Sequence, residues 1–336
     1  MSPKKSVAKK AVAKKAVAKI AVAKVASGLL PAGYDVQFAE IEVTLARLVR
    51  DGRRNKRSPA RALTATVIVV GKADRLIAAA DALEQLGESG GVRAILISEG
   101  EHTAPVARVT ENAIAISGLA PRFLNNAVAA LRLSSLPAVV WWRGGSLEAL
   151  DGLADLADRL VLDTEETDAV WARADSLFEH TALTDLRWTA LTRWRACLAH
   201  IYDLPQVRRD AAAIRSVTID ARDIPSARLF AGWLRSRLKW RSDVTIEIRP
   251  VRAKGHAPLE SMTLTGGALS ITLHVHARRE CLEASVKDTS SVVDASARIV
   301  PLGDGTLASL ISEELGVRTR DLAFEQALVA AREIQA

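Results

Sequence analysis

Cysteine is nearly missing: Cys197 and Cys281 are the whole complement in 336 residues. Two thiols are too few for a disulfide scaffold, a zinc ribbon or a cysteine-held iron–sulfur cluster. Both read as buried small hydrophobes in a reducing cytoplasm. No apolar run reaches the roughly 18–20 residues that span a bilayer, so no membrane attachment is expected. The Lys-rich N-terminus lacks a continuous apolar stretch and a cleavage site, so it does not read as a secretory leader. Nucleotide signatures are missing too: Gly71 opens no GxGxxG, and no GxxxxGK[ST] follows any strand. GxSxG, HExxH and a cysteine in a nucleophilic setting are all wanting. The residue inventory therefore supports no enzyme, no cofactor and no catalytic residue. His274 and His276 share one strand face, a spacing that can ligate a metal. With no third ligand placed beside them, they read as paired surface histidines, and no metal is expected.

Acid is missing from the first 26 residues, which hold eight lysines. Subtracting these from the formal +7 leaves the other 310 residues at −1. The basic character is thus a property of one end. Residues 4–26 repeat as KKSVA, KKAVA, KKAVA, KIAVA, KVA. Five residues advance a helix by about 500°, so the lysines spiral around it and form no stripe. Lysine repulsion opposes helix and alanine favours it, giving an expected disordered basic tail and linker over 1–32. Residues 1–26 could tether nucleic acid weakly and non-specifically, or merely solubilise the chain.

Beyond the tail, residues 33–60 read as a leading amphipathic helix and a basic loop. Phe38, Ile41, Leu45 and Leu48 share the helix face, Gly52 ends it, and DGRRNKRSP forms the loop. Residues 61–165 then alternate apolar runs with helical segments: strands at 64–70, 92–98, 108–117, 137–142 and 160–162, with helices at 74–86, 121–133 and 146–158. Alternation at this spacing predicts a Rossmann-like α/β domain with a mainly parallel sheet. Residues 166–212 read as a helical connector, wholly helical to 203. Residues 213–336 read as an α+β domain with an antiparallel sheet, a helix at 224–238 and a hairpin at Gly266-Gly267. Its closing helices are capped by Thr306 and Asp321, with Gly316 as a C-cap.

Ligands of doubly wound sheets sit beyond the carboxyl ends of the strands. The turn Arg143-Gly144-Gly145-Ser146 presents backbone N–H groups and a guanidinium there, so it is a candidate anion site for a sugar-phosphate enzyme or sensor. Tight turns also use glycine for steric reasons alone. Tryptophan is the compositional oddity: seven, against two tyrosines and five phenylalanines. Trp141 and Trp142 are adjacent on one strand and must point to opposite faces. Trp188 and Trp194 lie on a helix flanked by Arg187 and Arg195. Either these rings are core with arginine stems packed over them, or Trp141, Trp142, Arg143, Arg187, Trp188, Trp194 and Arg195 mark a partner surface or domain junction.

LTATVIVVG, RAILI, ENAIAISG, LPAVVWWRG, TDLRWTALTRWRACLAHIYD and SARLFAGWLRSRL occur in this order. The ordered set, over roughly 35–335, resembles the OpcA family of glucose-6-phosphate dehydrogenase assembly proteins. The resemblance implies a cytoplasmic, non-catalytic allosteric activator in the oxidative pentose phosphate pathway, with that dehydrogenase as its partner. The Lys–Ala repeat is not part of it. Neither cysteine matches a known redox pair, and no site residue is carried over.

Overall fold

The computed structural model describes residues 23–54, 62–87, 91–102, 105–240, 244–252, 255–276, 280–288, 295–317 and 319–335. Most of the Lys–Ala repeat and the centre of the basic loop lie outside these residues. The chain divides into two compact units: Met1–Glu166 with Glu179–Ala182, and Thr167–Phe178 with Leu183–Ala336.

The first unit opens with a helix at residues 23–29 (α1), where a linker was expected from Ala26. Ala26 and Leu29 are buried, and that apolar pair gives the short helix a surface to lie on. Arg108 fastens the segment that follows. Its guanidinium donates to Ser27 Oγ at 2.6 Å and to the Pro31 and Gly33 carbonyls, and it lies 3.5 Å from Asp35. Strand β1 (Tyr34–Val36) leads through a 3-10 turn into α2 (Ile41–Arg54). Ile41 and Leu45 are buried as the periodicity predicts, whereas Phe38 sits in the 3-10 turn and is 37% exposed. Gly52 does not end α2. The helix runs through it because the missing Cβ leaves room for the Glu111 carboxylate.

The sheet follows from β2 (Ala65–Gly71), α3 (Ala73–Gly87), β3 (Val92–His102), β4 (Val106–Val109), β5 (Ala113–Leu119), α4 (Leu124–Leu131), β6 (Ala138–Trp142), α5 (Leu147–Ala154) and β7 (Arg159–Leu162). These strands hydrogen-bond in the order β1-β4-β5-β3-β2-β6-β7. The run β5-β3-β2-β6-β7 is parallel, and β1-β4-β5 is antiparallel. The expected strand at 108–117 is therefore two strands joined by a turn in which Ala113 N–H donates to Thr110 Oγ1. Every residue of β2 and β6 is buried, as central strands covered on both faces require. Order reverses between β2 and β6, the place where such sheets open a crevice.

The second unit contains α6 (Thr167–Trp171), most of α7 (Ala174–His180) and of β8 (Ala182–Asp185), then α8 (Leu186–Ala190), α9 (Thr192–Tyr202) and α10 (Pro205–Asp210). Strand β8 corrects the wholly helical reading of 166–203. There follow β9 (Ser216–Ala221), α11 (Ile224–Leu238), β10 (Thr245–Pro250), β11 (Leu259–Gly266), β12 (Leu269–His276), β13 (Cys281–Asp288), β14 (Ala295–Pro301), α12 (Leu307–Gly316) and α13 (Leu322–Arg332). The sheet order is β10-β9-β11-β12-β13-β14, antiparallel except for β10 against β9. Gly267 takes φ +60° in the β11–β12 hairpin, which a β-carbon would disfavour. Thr306 and Asp321 cap as expected, accepting from Ser309 N–H at 3.2 Å and Ala323 N–H at 2.9 Å. Gly316 is not a C-cap: it is the last helical residue, and Val317 continues in extended backbone.

The second sheet is two-sided. Val217, Ile219, Leu264, Met262, Ile271, Leu273, Val286 and Ala284 point inward and are buried, and helices α9 and α11 pack on this sheet. The alternate residues form three rows across the strands, each wholly or partly exposed. Ser216, Thr265, Ser270 and Lys287 make one row; Thr218, Thr263, Thr272 and Ser285 the next; Asp220, Ser261, His274 and Glu283 the third.

Candidate functional site

The β2–β6 crevice is built by four strand ends. Gly71 ends β2, Glu99 lies late in β3, Arg143 follows β6 and Asp163 follows β7. Arg143 approaches Gly71 so closely that a β-carbon there would stand 3.1 Å from Arg143 Cβ. The guanidinium is buried and engaged. Its Nε lies 2.7 Å from Asp163 Oδ2, and Nη1 donates to the Arg75 carbonyl at 2.6 Å. Burial pulls the Arg143 pKa down, and the Asp163 charge opposes that shift. Asp163 also accepts from Arg75 at 3.2 Å and from the Trp141 indole N–H at 3.3 Å. Arg75 reaches on to Glu165 at 2.8 Å. A single carboxylate thus holds two arginines and a tryptophan.

The diglycine turn is likewise filled from within. Gly144 and Gly145 take φ +127° and +141°. The Ser146 N–H, the donor expected to meet an anion, donates to Glu99 Oε2 at 2.9 Å. A β-carbon on Gly145 would lie 2.8 Å from Glu99 Oε1 and 2.9 Å from the Trp142 ring. Since β2 lies between β3 and β6, the Glu99 side chain crosses the end of the strand where a bound phosphate would sit. Among the described residues, Glu99 Oε1 is buried without a hydrogen-bond partner. Burial pushes the Glu99 pKa up, and the Ser146 bond only partly offsets this. The chemistry expected of Arg143, Gly144, Gly145 and Ser146 is therefore met by the protein's own acids. Neither Glu99 nor Asp163 was singled out in the sequence; the available signal was an acid at a strand end.

The raised Glu99 pKa fixes a sign. The folded state binds this proton more tightly than the unfolded chain, so the contribution to stability is full below the ordinary value near 4.5 and is lost as pH rises through the folded value. Glu99→Gln keeps a carbonyl acceptor for Ser146 without the charge. Its melting temperature relative to wild type should rise between pH 4 and pH 7. A difference that stays flat or falls over that range contradicts the assignment.

The second cluster lies in the second unit and is also interior. Trp188 and Trp194 are buried. The Arg195 guanidinium stacks 3.4 Å from the Trp188 ring centroid, and Trp188 Nε1 donates to Asp321 Oδ2 at 2.8 Å. Phe324 meets the same ring edge-on at 5.7 Å. Burial lowers the Arg195 pKa to about 10. Trp194 packs on Phe230 at 6.2 Å. Arg187 bridges Asp185 and Asp223 at 3.5 and 3.0 Å, the acids that cap α8 and α11. Trp141 and Trp142 are fully buried on opposite faces of β6. This corrects the reading of Trp141, Trp142, Trp188 and Trp194 as partner-facing. They are core, with arginines laid over two of the rings, and Arg143 and Arg187 tie elements together within their own units.

Cys197 and Cys281 are buried, as expected, and burial pushes the Cys197 thiol up. His274 does face a carboxylate, which the sequence did not show: Glu283 is its register partner, 3.6 Å away. Among the described residues, no three His, Cys, Asp or Glu side chains group so as to hold a metal ion. Nor is any helix among them long and apolar enough to cross a membrane.

Comparison with known proteins bears on the second unit. Residues 181–328 match the family described as the C-terminal domain of the glucose-6-phosphate dehydrogenase subunit. The chain is 32% identical over 139 residues to an OxPP cycle protein OpcA of Nostoc punctiforme, covering 38% of this chain and 30% of that protein. It is 28% identical over 127 residues to the OpcA of Synechocystis sp. PCC 6803, covering 35% and 26%. The chain thus matches less than a third of the length of these relatives. A super-repressor mutant of Gal80p from Saccharomyces cerevisiae superposes with a TM-score of 0.46 at 10% identity, over 75% of this chain and 84% of that one.

Proposed function

We propose, for a chain whose residues 181–328 belong to the OpcA family of glucose-6-phosphate dehydrogenase subunit domains, a non-catalytic role as assembly factor and allosteric activator of that dehydrogenase in the cytoplasm. The family match over 181–328 carries the reading, and the site geometry supports it. The crevice where a doubly wound sheet would take a nucleotide or sugar phosphate is filled by Glu99 and by the Arg143–Asp163 pair. An activator must bind the active state of its partner more tightly than the inactive one, so its whole effect resides in differential contact.

Titrating purified dehydrogenase from the same organism with this chain tests the proposal. Activation should saturate at a fixed ratio, with a shift to a larger complex on sizing. A version lacking residues 1–26 should activate equally, because the matched domain lies elsewhere. No activation and no complex at micromolar concentrations, under reducing and oxidising conditions, would overturn it.

A further inference from the structure

We infer that the open face of the second unit's sheet is where the dehydrogenase docks; this rests on the proposed function and adds to it the contact surface. The tryptophans cannot provide that surface, being buried. The sheet's outward rows can. Thr218, Thr263, Thr272 and Ser285 stand in register across four neighbouring strands, flanked by the Ser216–Thr265–Ser270 and Ser261–His274 rows. A hydroxyl-lined face is flat, and its short side chains lose little rotamer freedom when covered. Its charges are mixed and partly paired: Ser261 Oγ donates to Asp220 at 2.6 Å, and Arg249 to Glu247 at 2.9 Å.

Size identifies the kind of occupant. Six strands spaced by about 4.8 Å, each offering about seven residues at roughly 3.3 Å, make a face on the order of 650 Å². A standard protein–protein interface takes roughly 800 Å² from each partner. The face therefore suits a folded protein surface better than a peptide or a small ligand. The matched family region contains all six strands, and the family is named for the dehydrogenase. A polar contact of this composition is wet, held by direct and water-bridged hydrogen bonds more than by aromatic anchors.

The test is the full-length chain carrying Thr263→Glu with Thr272→Arg. These residues are directly opposite on β11 and β12, so the introduced charges pair across the strands and the fold is retained. The pair should raise the half-saturating concentration for activation at least about tenfold through bulk and desolvation, with the melting temperature within about 2 °C of wild type. Ser285→Arg, on the same row, is read in the same way if the pair fails to fold. Val43→Arg, on exposed α2 of the first unit, should activate like wild type. Wild-type half-saturation by the row variants overturns the docking face and leaves the proposed function standing. Failure of the wild type to activate overturns both. A dimer of the chain alone that the row variants dissociate, with activation intact, assigns the face to a second copy and overturns the docking of the dehydrogenase.

Discussion

Replacing Gly232 by leucine should abolish folding of the second unit. Gly232 lies in the middle of α11, where α13 crosses so closely that a β-carbon would overlap the Ala327 carbonyl oxygen and stand 2.7 Å from the Ala331 amide nitrogen. Those are backbone atoms, and they cannot turn aside as a side chain could. Alanine is the milder test. It gains about 1 kcal/mol of helix propensity over glycine, but overpacking a close contact costs typically about 1–3 kcal/mol. Gly232→Ala should therefore be destabilised by roughly 1–2 kcal/mol net and Gly232→Leu by much more. Phe230, next but one on α11, is fully buried and packs on Trp194 and Trp233, so spreading the two helices disturbs the core beside it. Urea unfolding followed by tryptophan fluorescence reads the effect. A Gly232→Leu chain with wild-type stability would show that α11 and α13 do not approach as described.

The second large effect concerns Asp163. Asp163→Ala removes the shared acceptor of Arg143, Arg75 and Trp141 in one step. The Arg143 guanidinium, about 6% exposed, is then left charged and uncompensated, a situation that costs about 3–5 kcal/mol when one partner of a buried pair is lost. The melting temperature of the first unit should fall by several degrees or more. Removing both charges in Arg143→Met with Asp163→Ala should restore much of the loss, since the penalty belongs to the orphaned charge. If the double variant is no better than the single one, the pair is not what holds the crevice together. The same logic makes Arg143→Ala a stability variant first: lost activation in it would report folding and not contact.

The order of strands and helices was legible because its signals are local. Runs such as Ala65–Gly71 and Ala138–Trp142 are continuously apolar and β-branched or aromatic, and central parallel strands need nothing else. In the second sheet the alternation of Val217, Ile219 and Ala221 with Ser216, Thr218 and Asp220 announces one buried and one open face. What escaped was decided by distant partners. Strand β8 is four residues set among helices, too short for a period to show. Gly52 reads as a helix stop until Glu111 is seen occupying the space beside it. The aromatic–arginine clusters were placed on the right elements, but whether a tryptophan faces core or partner depends on what covers the far side of its strand or helix. For Trp141 and Trp142 the answer follows from the sheet being covered on both faces, a property of topology and not of the dipeptide. Glu99 was the least visible of all. An acid at a strand end reads as solvated, and only the strand order carries it across to Ser146.

The Glu99–Ser146 contact has a consequence for how this chain responds to its surroundings. The carboxylate is tethered to the turn it occupies, so it competes there as an intramolecular ligand at high effective concentration. A free metabolite would have to displace a group that never diffuses away. A turn held in this manner is deaf to swings in nucleotide and sugar-phosphate pools. The signal this chain can carry is then its own abundance: how much of it has been synthesised relative to the enzyme it serves.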